Sequence, residues 1–146
     1  MTWLIAILAV GAAVLFGKKA AAQTTTVTVS DGLKAVAEAI ARAEGFYVAG
    51  SIPARANNPG NLKIGDRGNG VIEGKTIFAT AQDGWNALYR QLDLVRTGKA
   101  KYLKPTDTWR EFARAWVGTT DADNWAANVT NRLGATPLDS VGGFLA

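Results

Sequence analysis

Residues 31–45 read DGLKAVAEAIARAEG and form the first strongly periodic stretch of the chain. Apolar side chains recur at helical spacing, and a charged stripe follows the opposite face at i, i+4 spacing: Lys34, Glu38 and Arg42. Ser30 or Asp31 can cap the start of a helix, and Gly45 is typical of its end. The stretch therefore predicts an amphipathic helix that runs to Glu44 and buries one face.

Three further helices are predicted downstream of this first helix. One follows Thr80 and ends near Gly98, and the next opens with the capping box Thr108-x-x-Glu111. A last helix starts near Asp121 or Asp123 and stops at Gly134, before a short final turn. Between the first two helices, Gly-rich turns separate three short β-type runs: Leu62–Ile64, Gly70–Ile72 and Thr76–Phe78. The pattern predicts an α+β domain, predominantly helical, with a small β-wing, over residues 31–146.

The N-terminal residues differ sharply from this domain. Residues 1–17 carry no charged side chain and are almost continuously apolar. We interpret residues 1–22 as a transmembrane helix, with Lys18 and Lys19 reaching one membrane interface, and residues 23–30 as an extended linker. A cleaved signal peptide is an alternative, which the lack of a basic residue before the apolar run disfavours. A buried core helix is another, and the missing polar face disfavours it.

The composition excludes two whole chemistries. The 146 residues include no His and no Cys, so there is no imidazole base, thiol nucleophile, disulfide or His- or Cys-ligated zinc. Acid–base catalysis must then rest on carboxylates, Lys or Tyr. The net charge of +4 permits a polyanionic partner but selects none, and the basic residues form no stripe that favours nucleic acid.

Glu44 is the most unusual titratable residue of the sequence. It falls on the apolar face of the first helix, four residues after Ile40, rather than on the charged face. Burial and the negative end of the helix dipole would both raise its pKa, as a general acid requires. The alternative is a Glu that extends past the helix end into solvent or pairs with an Arg.

A turn rich in amides follows, with the sequence Asn57-Asn58-Pro59-Gly60-Asn61-Leu62. Pro59 restricts the backbone, and the Asn side chains can both donate and accept hydrogen bonds, which suits sugar hydroxyls and N-acetyl groups. Asn, Pro and Gly are also ordinary turn formers, so the turn alone is a weak signal.

Taken together, these segments resemble a known family, the lysozyme-like, soluble-lytic-transglycosylase-like muramidases of phage virions. The resemblance covers about residues 33–141 and rests on these matches: Ala43–Phe46, Asn57–Lys63, Ile77–Thr80, Asp83–Leu88, Thr108–Phe112 and Asp123–Gly134. The Asn-Asn-Pro-Gly-Asn-Leu string is the most diagnostic of them. The apolar N-terminus is similar to that of membrane-associated muramidases from phages with an internal membrane.

The resemblance implies a peptidoglycan lytic transglycosylase that helps a phage virion to breach the cell wall during genome entry. Glu44 would be the single acid/base, cleaving the MurNAc–GlcNAc bond with a 1,6-anhydro product and no cofactor or metal. Asn57, Asn58 and Asn61 would face the cleft, with Trp125 at its floor, where relatives often have Tyr. Phe78 is a further candidate for sugar stacking, although aromatic side chains are more often core.

A second carboxylate would instead make the protein a hydrolase, and the candidates are Asp66, Glu73 and Asp83. A non-catalytic wall-binding or virion structural protein is the other alternative. The expected partners are peptidoglycan strands, the lipid membrane through residues 1–22 and other virion proteins. The expected location is the virion membrane, or otherwise the bacterial cell envelope.

Overall fold

A computed structural model of the protein describes residues 29–63 and 68–146. The predicted anchor over residues 1–22 and most of the predicted linker therefore lie outside the described residues, as do Ile64 and Asp66. Within the two described ranges, no helix has the length and apolar character needed to cross a membrane.

Roughly half of the described residues are helical, and one small antiparallel sheet accompanies the helices. The elements in chain order are α1 (Asp31–Ala43), α2 (Ile52–Arg55), β1 (Gly70–Ile72), β2 (Lys75–Ile77), α3 (Ala81–Arg96), α4 (Trp109–Val117), α5 (Ala122–Leu133) and a final 3-10 turn (Val141–Phe144). At this level the predicted α+β class, with a β-wing after the first helix, is confirmed.

Local capping chemistry sets the starts of the longer helices. Ser30 accepts a hydrogen bond from the backbone of Leu33, and Thr80 accepts one from that of Asp83. Thr108 and Glu111 form the predicted reciprocal capping box. Helix α5 is the exception, because Asp121 occupies the N-cap position without a side-chain cap hydrogen bond.

The wing is a two-stranded hairpin in which Val71 pairs with Thr76. The predicted strand Thr76–Phe78 is shifted by one residue. In the predicted run Leu62–Ile64, neither Leu62 nor Lys63 belongs to a strand. The reason is Asn58, whose buried side-chain amide donates to the Leu62 carbonyl and accepts from the Leu62 N–H, as a neighbouring strand would. Helix α2 was not predicted, since four residues are too few to show a helical period.

The core positions the C-terminal end of α1. Helix α1 packs against α3 and α5, and α4 packs against α5. Leu33, Val36, Ala37 and Ile40 of α1 are fully buried, as the apolar period predicted. The face that carries Ile40 therefore directs the next residue on the same side, Glu44, toward the interior of the domain.

Candidate active site

Glu44 caps the C-terminus of α1, and both of its carboxylate oxygens are hydrogen-bonded. The side-chain amide of Asn61 donates to Oε2 at 2.9 Å, and the indole N–H of Trp125 donates to Oε1 at 2.8 Å. Three separate segments, the end of α1, the turn after α2 and helix α5, thus meet at one carboxyl group. Two donors with fixed positions restrict its orientation.

The turn that carries Asn61 is itself held by its amide side chains. Asn58 is fully buried and its amide donates to the carbonyls of Leu62 at 3.0 Å and Thr76 at 2.9 Å. Asn61 adopts a left-handed backbone with φ of 50°, which Asn tolerates better than most residues. Helix α3 packs closely against the turn at Gly84. A Cβ at this position would overlap the carbonyl oxygen of Asn57, so only Gly permits this approach.

Burial raises the pKa of Glu44 above its ordinary value. The hydrogen bonds from Asn61 and Trp125 and the positive charge of Lys75 favour the charged form and oppose this effect, but burial outweighs them. The carboxyl therefore keeps its proton to a higher pH than an exposed Glu does. Once the proton is lost, the N–H donors of Asn61 and Trp125 stabilise the carboxylate. This combination suits a group that gives up a proton and takes one back.

Glu44 opens into a cavity of about 410 Å³. Lys63 and Lys75 border it on the wing side, and three of the six residues on the helical side are polar. That helical side comprises Trp116, Val117, Asp121, Asn124, Trp125 and Asn128.

A second cavity, of about 250 Å³, adjoins the first. The two share Asn61, Lys63 and Trp116 in their linings, so they lie side by side, and Glu44 lines the first of them. The second cavity is the more apolar, with Leu62, Leu103 and Ala115 in its lining, and Tyr102 stands beside it with 75% of its surface exposed.

The structure brings together Glu44, Asn61 and Trp125 among the six predicted site residues. Trp125 is only 5% exposed and stacks on Phe112, so it holds the carboxylate and offers substrate little ring surface. The hydrogen bond from its indole N–H to Glu44 is its main contact in this site.

The other three predicted substrate-binding residues do not border either cavity. Phe78 is 2% exposed and belongs to the interior. Asn57 turns away from the cleft and donates to the carbonyl of Phe78 at 3.1 Å. The side chain of Asn58 is fully occupied by backbone groups. We therefore correct their assignment: these residues fasten the turn to the wing and support Asn61 from behind.

Neither Glu73 nor Asp83, the two described candidates for a second carboxylate, borders the Glu44 cavity. Glu73 forms an ion pair with Arg55 at 3.6 Å, and the carboxylate of Asp83 accepts a hydrogen bond from the Thr80 hydroxyl at the start of α3. Asp66 lies outside the described residues. Asp121 borders the cavity instead. The sequence carries a signal for it, since Asp121, at the N-cap position, precedes Asn124, Trp125 and Asn128 of α5 by three, four and seven residues, the spacing of one helix face.

Within the described ranges, no group of three His, Cys, Asp or Glu residues is arranged to hold a metal ion. No family model, no curated protein and no solved structure matches the chain.

Proposed function

We propose that this protein is a lysozyme-like peptidoglycan lytic transglycosylase in which Glu44 is the only acid/base. The observation that carries the proposal is the Glu44 carboxyl itself. It is partly buried, its pKa is raised, both of its oxygens are bound by donors, and it opens into a polar cavity.

In the proposed reaction, Glu44 gives its proton to the glycosidic oxygen between MurNAc and GlcNAc. The bond from the MurNAc anomeric carbon to that oxygen breaks, and the GlcNAc hydroxyl leaves. Asn61 and Trp125 then stabilise the resulting carboxylate through their N–H donors. The carboxylate then takes the proton of the MurNAc 6-hydroxyl while the oxygen of that hydroxyl attacks the anomeric carbon. The 1,6-anhydro ring closes, Glu44 regains its proton, and no water is consumed.

The two adjoining cavities support a polymeric substrate. Together they offer room for more than one sugar ring, and Glu44 lines the first of them. Amide side chains of α5 and the turn suit hydroxyl and N-acetyl groups, and Tyr102 and Trp116 offer aromatic surface for sugar rings. The role in a phage virion, the membrane anchor at residues 1–22 and the entry step remain part of the proposal.

The test is to incubate the full chain, in detergent, with purified sacculi and to measure the masses of the released muropeptides by mass spectrometry. We expect products one water lighter than those of a hydrolytic lysozyme. Glu44→Gln should abolish release, whereas Glu38→Gln, an exposed change on the same helix, should retain it. Binding to sacculi without any release by the wild type would instead support a wall-binding or structural protein.

A muramidase hydrolase is the second candidate, and Asp121 is the observation that favours it. Its carboxylate borders the cavity that holds Glu44 and is not engaged in capping α5. Hydrolytic mechanisms pair an acid with a second carboxylate that activates water or attacks the sugar. Under this candidate, products have ordinary reducing ends and Asp121→Asn abolishes their release. Under the transglycosylase proposal, Asp121→Asn still yields anhydro products.

A further inference from the structure

Two lysine side chains border the Glu44 cavity on its wing side. Lys63 follows the turn that carries Asn61, and Lys75 opens β2. The backbone N–H of Thr76 donates to the carbonyl of Leu62 at 2.9 Å, which brings the two chain segments side by side. The two ammonium-bearing side chains therefore belong to one edge of the cavity.

The helical side of the cavity has a different character, with the carboxylate of Asp121 and the amides of Asn124 and Asn128. The ion pairs formed among the described residues do not include Lys75. Its charge acts on Glu44, but a protonated Glu44 offers it no counter-charge. The wing edge thus presents positive charge to whatever enters the cavity while Glu44 is ready to act as an acid.

We infer that Lys63 and Lys75 bind a carboxylate of the peptide stem attached to the glycan, so that the protein prefers peptide-bearing strands to bare ones. This inference rests on the proposed function. The sugar rings of the strand are uncharged, and the stem carries carboxylates beside the MurNAc ring that is to be cleaved. An ammonium group binds a carboxylate through a charge-assisted hydrogen bond, which is shorter and stronger than a hydrogen bond between neutral groups. The same contact would orient the strand, with its stem toward the wing and its sugar hydroxyls toward α5.

The expected size follows from the exposure of the two lysines. Lys63 is exposed and Lys75 is half-buried, so each contact is partly screened by solvent. We expect a preference of about 10-fold in kcat/KM for peptide-bearing strands, equivalent to one good charged contact. The preference should fall as salt concentration rises.

The experiment measures kcat/KM of the full chain on two forms of one substrate. One is sacculi free of other wall polymers, and the other is the same material from which an amidase has removed the stems. The variants are Lys63→Met, Lys75→Met and the pair together. The matched control is Lys104→Met, at an exposed lysine that lines neither cavity. Because Lys75 also lowers the pKa of Glu44, the readout is kcat/KM on the peptide-bearing substrate divided by kcat/KM on the bare one. A change in Glu44 affects both values equally and cancels in this ratio.

We expect the ratio to fall from about 10 toward 1 in the double Met variant and to stay unchanged in Lys104→Met. Replacement of both lysines by Arg should retain the preference, since Arg also binds carboxylates. Equal rates of the wild type on both substrates would overturn the inference, as would a preference that survives in a folded double Met variant. A wild type that cleaves neither substrate would refute the proposed function instead, so the two failures are distinct.

Discussion

Trp125→Phe is the change that isolates one of the two donors to Glu44. The substitution removes the indole N–H that donates to Oε1 at 2.8 Å and keeps an aromatic ring beside Phe112, on which Trp125 stacks with centroids 6.0 Å apart. A hydrogen bond to a charged group contributes about 1.5–3 kcal/mol. Trp125 lowers the pKa of Glu44, so its loss leaves burial less opposed and raises that pKa further.

The sign of the effect on activity follows from the role of Glu44 as an acid. Activity falls as pH rises through the pKa of Glu44, because the proton to be donated is lost. In Trp125→Phe this fall should move to higher pH. The maximal rate should drop by about 10- to 100-fold, since the carboxylate formed after proton transfer loses one donor.

The assay is the pH dependence of muropeptide release, with Trp109→Phe as the matched control. Trp109 is fully buried against the same Phe112, and its indole N–H has no hydrogen-bond partner among the described residues, so the same chemical change is made away from Glu44. We expect the control to keep the wild-type pH profile. A profile for Trp125→Phe that is unchanged or displaced to lower pH would refute the reasoning.

Three further predictions concern the framework of the site. Gly84→Ala should destabilise the domain by about 1–3 kcal/mol in urea unfolding, because its Cβ would strike the Asn57 carbonyl, whereas Gly143→Ala, which has open space, should be nearly neutral. Asn58→Ala leaves buried backbone groups of the turn unpaired and should lower the free energy of unfolding by about 2–4 kcal/mol. Activity should fall together with stability, whereas loss of a residue that only contacts substrate would lower activity alone. Because the pKa of Glu44 is raised in the folded state, folded Glu44 keeps its proton at pH values where unfolded Glu44 has released it. The Tm of the wild type relative to that of Glu44→Gln should therefore decline as pH rises from about 4.5 through the folded-state pKa. A Tm difference that is independent of pH would contradict this.

The parts of the fold that sequence predicts are those with a local physical cause. The caps at Ser30, Thr80 and Thr108 act within three residues of themselves, and each was identifiable from its neighbours. The unusual position of Glu44 was likewise visible in the period of its own helix. Its hydrogen bond to Trp125 joins residues 81 positions apart, and only the packing of α1 against α5 creates it.

The amide turn marks where residue type alone fails. Asn57, Asn58 and Asn61 have the same side chain, yet one faces Phe78, one is buried and one reaches Glu44. The backbone decides this, with Asn57 and Asn61 in left-handed conformations. Asp121 shows the same limit, because an Asp before a helix is expected to cap it, whereas here it forms no cap hydrogen bond and borders the cavity.

The most direct test of the central claim is cleavage of sacculi in water enriched in heavy oxygen, followed by mass analysis of the muropeptides. If Glu44 closes the 1,6-anhydro ring with the 6-hydroxyl of the substrate, wild-type products contain no heavy oxygen, and Glu44→Gln gives no products. Incorporation of one heavy oxygen at the newly formed sugar end would contradict the claim and identify a hydrolase. Undiminished cleavage by Glu44→Gln would remove Glu44 from the reaction altogether.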